Sequence, residues 1–145
     1  VTEDIDHFGQ LLGETARAWR AVLDRRLQPL GLSGARWLVL LHLARAGETL
    51  VQKELARRVG IGGPALVGLL DRMARDEWIE RRAHGEDRRR KAVHLTPKAR
   101  RVIPRIEASA AELRDELLRD LPRAELQRCM RLLSRIKRGA ERGVD

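Results

Sequence analysis

The chain has 145 residues, 43% of them hydrophobic and 35% charged, with one cysteine and a formal net charge of +9. That length gives one domain, or one domain with helical extensions, and no apolar run reaches the roughly 18 residues of a membrane span. The lone Cys129 excludes an internal disulfide framework and fits a reducing cytoplasm, and an apolar stretch that follows Glu3, Asp4 and Asp6 does not read as a signal peptide.

Phe8, Leu11, Leu12, Trp19, Val22, Leu23 and Leu27 recur at the spacing of one helical stripe, which Pro29 and Gly31 end. Ser33 stands in an N-cap position, and Trp37, Leu38, Leu40, Leu41 and Leu43 mark a second, mostly buried helix closed by Gly47. Residues 52–60 read as a short amphipathic helix with Gly60 as its left-handed terminator. The next helix opens with Pro64 after Gly63 as cap, and carries Leu66, Leu69, Leu70 and Met73. From Trp78 the period shortens. Residues 78–84 and 91–95 flank the polar stretch 85–90, which predicts an antiparallel hairpin with His84 and His94 across from one another. Thr96 as cap and Pro97 at the first helical position open a long helix through Val102, Ile103, Ile106, Leu113, Leu117 and Leu118, bent at Pro104. Leu121-Pro122 breaks it, and Leu126, Met130, Leu133 and Ile136 mark the last helix.

Charge is unevenly spread. Residues 1–51 are neutral, residues 52–101 carry fourteen basic and seven acidic side chains, and residues 102–145 carry ten and eight. The excess sits in the middle third, as it does when that third faces a polyanion. Two helices meeting at Gly60 fit a helix-turn-helix. Ala56 permits close crossing, Gly60 the sharp turn, and Leu55, Val59, Ile61, Leu66 and Leu69 the buried seam. A hairpin that follows at once and carries Arg88, Arg89, Arg90 and Lys91 in its basic tip makes the unit a winged helix.

The residues resemble the MarR family of winged-helix transcription regulators, most closely its SlyA branch. The resemblance is carried by Trp19-Arg20-Ala21, Leu27-x-Pro29-Leu30-x-Leu32, Trp37, Leu55-Ala56-x-x-x-Gly60-Ile61 and Pro64-x-Leu66-Val67-x-x-Leu70-Asp71. It continues through the wing signature Asp87-Arg88-Arg89-x-Lys91 and Leu95-Thr96-x-Lys98-Ala99. It implies a cytoplasmic homodimer on a pseudo-palindromic operator in double-stranded DNA, modulated by a small aromatic or phenolic anion. The expected fold is mainly α with a small β-hairpin. Residues 32–96 would form the winged helix-turn-helix, and residues 1–31 and 97–145 the helical dimerisation region. Pro64, Ala65, Val67, Gly68, Arg72, Arg88, Arg89, Arg90 and Lys91 would contact DNA. Asp87 would orient Arg89, and Arg20 and Trp37 would lie at the ligand site.

The sequence departs from the family pattern at Val51, where a capping Ser or Thr is usual, and at Gly68, where SlyA has an arginine. Leu41 replaces a histidine and Glu77 a glycine. A recognition helix offering Pro64, Ala65 and Val67 can touch thymine methyls but makes few base-edge hydrogen bonds, so readout is expected to lean on Arg72, the wing and DNA shape. Residues 60–65 fit G-x-G-x-x-A, but a charged helical segment precedes them instead of a buried strand, so no dinucleotide site is expected. No metal, cofactor or catalytic constellation is expected either, and Cys129 reads as core packing. An RNA-binding module is disfavoured by the scarcity of aromatic side chains for base stacking. A dimeric small-molecule-binding or adaptor protein with weak nucleic-acid affinity is the remaining alternative.

Overall fold

The computed structural model describes residues 4–143, with the side chains of Asp87 and Arg88 outside that description. After a short 3₁₀ turn at Ile5–His7, helix α1 (Phe8–Leu27) buries Leu23 and Leu27, and the chain then turns through Gln28–Leu30. Helix α2 (Arg36–Arg45) starts later than a Ser33 cap requires. Gly31, Gly34 and Ala35 all take positive φ, Ala35 occupies the cap position, and the Ser33 carbonyl accepts Arg36 Nη1 at 3.0 Å. Asp24 of α1 fixes this turn. It accepts the indole N–H of Trp37 at 2.7 Å on one oxygen and the Gly34 N–H at 3.3 Å on the other.

A short strand that no period in the sequence announces, β1 (Thr49–Val51), follows α2. Helix α3 (Gln52–Val59) then begins at Val51 without a side-chain cap and ends at Gly60, φ 74°. Helix α4 (Gly63–Arg75) is capped one residue earlier than expected, at Gly62, which places Pro64 second in the helix. Leu55, Val59, Leu66, Leu69, Leu70 and Met73 are buried between these helices, whereas Ile61 is half-buried.

Strands β2 (Ile79–His84) and β3 (Asp87–Leu95) form the hairpin, and β1 adds to the other edge of β3, in the order β1-β3-β2. β3 is longer than expected, so the turn shrinks to Gly85-Glu86 and the arginines lie on a strand, not in a loop. The register moves from Ala83↔Lys91 to His84↔Asp87, one step on β2 for four on β3, so Arg88, Arg89 and Arg90 form an irregular bulge. The same register separates the two histidines. His84 opposes Asp87, while His94 opposes Glu80 and Thr49 and shares a 2.7 Å hydrogen bond with the Thr49 hydroxyl.

Thr96 accepts the Ala99 N–H at 3.2 Å and caps helix α5 (Pro97–Leu118), which continues through Pro104 as one helix. Its Ala99, Ile103 and Ile106 join the core shared by α1, the winged helix and Trp78. Two compact units result, residues 1–113 and 114–145. The second holds helix α6 (Arg123–Arg142), which starts after Pro122 and buries none of its residues; Met130 is 68% exposed. Cys129 is also exposed, not packed in the core of its own chain.

Candidate nucleic-acid interface

The site is assembled from three local features. The sharp turn at Gly60 sets α4 against α3, leaving Pro64, Ala65 and Val67 outward while Leu66, Leu69 and Leu70 face the core. Gly68 is half-buried, and a Cβ there would meet Arg72 Nη1 at 3.5 Å, so the Arg72 guanidinium lies over the glycine one turn before it. The third feature is β3, whose Arg89, Arg90 and Lys91 are exposed.

These elements border a cleft of about 820 Å³ lined by residues of α3 (Lys53, Glu54, Arg57), of α4 (Gly63, Val67) and of β3 (Arg89, Arg90, Lys91), four of its cations outside the Glu54–Arg57 pair. The amino ends of α3 and α4 both lack a side-chain cap, so no capping side chain takes the first-turn N–H groups of α3 or those of Gly63 and Ala65 in α4, where Pro64 has none to give. The cleft therefore combines cationic side chains with the positive ends of two helices, a geometry that suits phosphate oxygens. Val51, with no capping side chain, leaves the α3 end open in this way.

Among the sequence-derived site residues, Val67, Arg89, Arg90 and Lys91 come together in the cleft. Pro64, Ala65 and Arg72 are exposed along α4. The side chains of Asp87 and Arg88 fall outside the described residues, and so does the expected bond from Asp87 to Arg89. Arg20 is exposed on α1, whereas Trp37 is buried with its N–H on Asp24.

Several charged partners of the site went unread in the sequence. Lys53 and Arg57 contribute to the cleft from α3. Glu54 accepts Arg57 at 2.6 Å and Arg58 at 3.0 Å, and these hydrogen bonds, that of Arg57 foremost, hold its carboxyl down to about 2. The i,i+3 and i,i+4 spacing was the available signal. Asp71, the acidic residue on the outer side of α4, pairs with Arg81 of β2 at 2.7 Å, which ties the helix to the hairpin and offsets a charge that would repel an anion. Behind the site, burial of His42, and then the positive charges of Arg45, Arg58 and Arg20, push its imidazole below the ordinary 6.5.

Among the described residues no group of three or more His, Cys, Asp or Glu side chains could hold a metal ion, and no helix is long and apolar enough to cross a membrane.

The profile of the MarR family matches residues 30–90. The crystal structure of the transcriptional regulator PA3341 is 50% identical, with 94% of this chain and 99% of that one covered at a TM-score of 0.86. The transcriptional regulator SlyA is similar at 18% identity, with 90% and 92% covered and a TM-score of 0.82. A mutant of E. coli MarR complexed with operator DNA matches at 24% identity, with 92% and 99% covered and a TM-score of 0.78. Identity to a transcriptional regulator at one position in two, over nearly the whole length, together with a MarR profile that falls on the helix-turn-helix and wing, shows that this chain belongs to the MarR family of winged-helix transcriptional regulators.

Proposed function

We propose that this regulator binds duplex DNA sequence-specifically as a homodimer, with α4 in the major groove and the β2–β3 hairpin against the minor groove. The observation that carries the reading is the cleft in which Lys53, Arg57, Arg89, Arg90 and Lys91 surround two uncapped helix ends. Pro64, Ala65 and Val67 then meet thymine methyls, Arg72 reaches base edges or phosphate, and Arg89 enters the minor groove. Arg88, Arg90 and Lys91 bind phosphates, and Asp87 orients Arg89. Residues 32–96 then form the DNA-binding module.

Residues 1–31 and 97–145 supply the dimer surface. Ile5, Phe8, Leu11 and Leu12 near one end, and Leu117, Leu121, Met130, Leu132, Leu133 and Ile136 near the other, are all exposed in the single chain. An apolar set of that extent calls for a second copy to cover it. A small aromatic anion as modulator rests on the family resemblance at Arg20 and Trp37. A ligand that took the Trp37 N–H would have to displace Asp24, which links modulation to the turn between α1 and α2.

Fluorescence anisotropy of a labelled duplex, selected from a random pool by the protein, tests the reading. Log affinity is expected to fall with log salt by roughly 0.9 per phosphate contact, and an RNA of equal length is expected to bind more weakly. A nearly flat salt dependence removes duplex DNA as the partner and leaves the small-molecule or adaptor protein.

A further inference from the structure

The turn that leaves α4 presents three successive carbonyls, those of Asp76, Glu77 and Trp78, and the start of α5 bonds all three. Lys98 Nζ donates to the Asp76 carbonyl at 2.6 Å and stands 4.0 Å from the centroid of the Trp78 ring. The Thr96 hydroxyl donates to the Glu77 carbonyl at 2.7 Å and lies 3.1 Å from that of Trp78, which also accepts the Thr96 N–H at 3.3 Å. The same hydroxyl oxygen caps α5 through Ala99. One side chain thus ends one helix's turn and begins another helix.

The turn held in this way is short and already constrained. Glu77 N–H bonds the Ala74 carbonyl at 3.1 Å and Trp78 N–H the Met73 carbonyl at 2.9 Å, the paired bonds of a Schellman ending, with Glu77 left-handed at φ 63°. α2 ends the same way. Gly47 and Glu48 bond back to Ala44 and Leu43, and Glu48, φ 75°, pairs with Arg100 of α5 at 2.8 Å. The first turn of α5 therefore holds the closing turns of both helices. Lys98 in addition places a cation at the negative end of the α4 dipole.

We propose that Thr96 and Lys98 are positioning residues for DNA recognition. They fix the exit angle of α4 and the root of the hairpin relative to α5, so that a rotation of α5 reaches α4 instead of being absorbed in the turn. This rests on the reading of α4 as the groove helix. With three successive carbonyls bonded from one side, the α4–β2 turn has no slack with which to take up such a rotation.

The test compares the full chain with Lys98→Met, Thr96→Val and Thr96→Ser. Each is titrated against the selected duplex and a scrambled duplex, alongside urea unfolding. Lys98→Met and Thr96→Val are expected to weaken binding to the selected duplex about tenfold and to the scrambled one less than about twofold, with Thr96→Ser restoring selectivity. Should Thr96→Val fail to fold, Lys98→Met, at an exposed position, carries the test alone. Unchanged selectivity in Lys98→Met, or losses equal for both duplexes, overturns the positioning role while leaving the DNA reading intact. A wild-type chain that does not distinguish the two duplexes overturns the reading of α4 and the proposal with it.

Discussion

Glu77 shows how one backbone angle explains a substitution that sequence alone leaves without meaning. The family pattern has glycine there, and the residue sits at φ 63° as the left-handed terminator of α4. A side chain in that conformation costs about 1–2 kcal/mol, partly offset by the lower entropy of the unfolded chain. Glu77→Gly is therefore expected to raise stability by about 0.5–1 kcal/mol in urea unfolding. A decrease would mean that the Glu77 side chain makes a contact worth more than the strain.

His42 sets a pH dependence of definite sign. Burial and the charges of Arg45, Arg58 and Arg20 hold its folded-state value below 6.5, so the unfolded chain binds the proton more readily. The stability that neutral His42 contributes is complete above about pH 6.5 and is lost as pH falls from there through the folded-state value. His42→Gln is expected to flatten the decline of the urea midpoint between about pH 7 and 5. An equal decline in both proteins would assign the acid sensitivity to carboxylates. In the wing, Arg89→Ala is expected to cost about 1–3 kcal/mol per half-site and to narrow the gap between selected and scrambled duplex. Arg90→Ala is expected to weaken both and to shallow the salt slope by about one per subunit. Anisotropy at several salt concentrations separates the two, and equal losses for Arg89→Ala would make it a phosphate contact only.

Among the elements, what was legible in the sequence was local. Thr96-Pro97 opens α5, Gly60 ends α3 and Pro122 separates the last two helices, because each signal acts within a few residues of itself. Three-residue β1 carries no period, and it exists only through pairing with β3, Thr49 with His94, more than forty residues on. Register was equally hidden. A two-residue turn and a bulge moved Arg88–Arg90 from the tip onto a strand, and nothing in the arginine run states which neighbour each faces. The interface divides the same way. The wing arginines and the α4 face were readable as motifs, whereas Lys53, Arg57 and the Asp71–Arg81 pair enter only once the helices cross. For α6 the apolar stripe was plain in the sequence, and its exposure in the single chain invites a direct test. If the proposed homodimer forms through this stripe, the double change Met130→Glu, Leu133→Glu is expected to leave the chain monomeric at micromolar concentration where the unaltered chain is dimeric, as read by sedimentation. A dimer of undiminished affinity would place the contact elsewhere.

For the whole molecule, a terminal helix that buries none of its own side chains has a bearing on life in the cell. If its cover comes from another copy, the cohesion of each chain includes a mass-action contribution that vanishes on dilution. Newly made or surplus single chains then spend more time open and are removed faster by proteases, while assembled ones persist. Degradation would thus make the amount of assembled protein, and with it any DNA occupancy, fall more steeply than in proportion as synthesis drops.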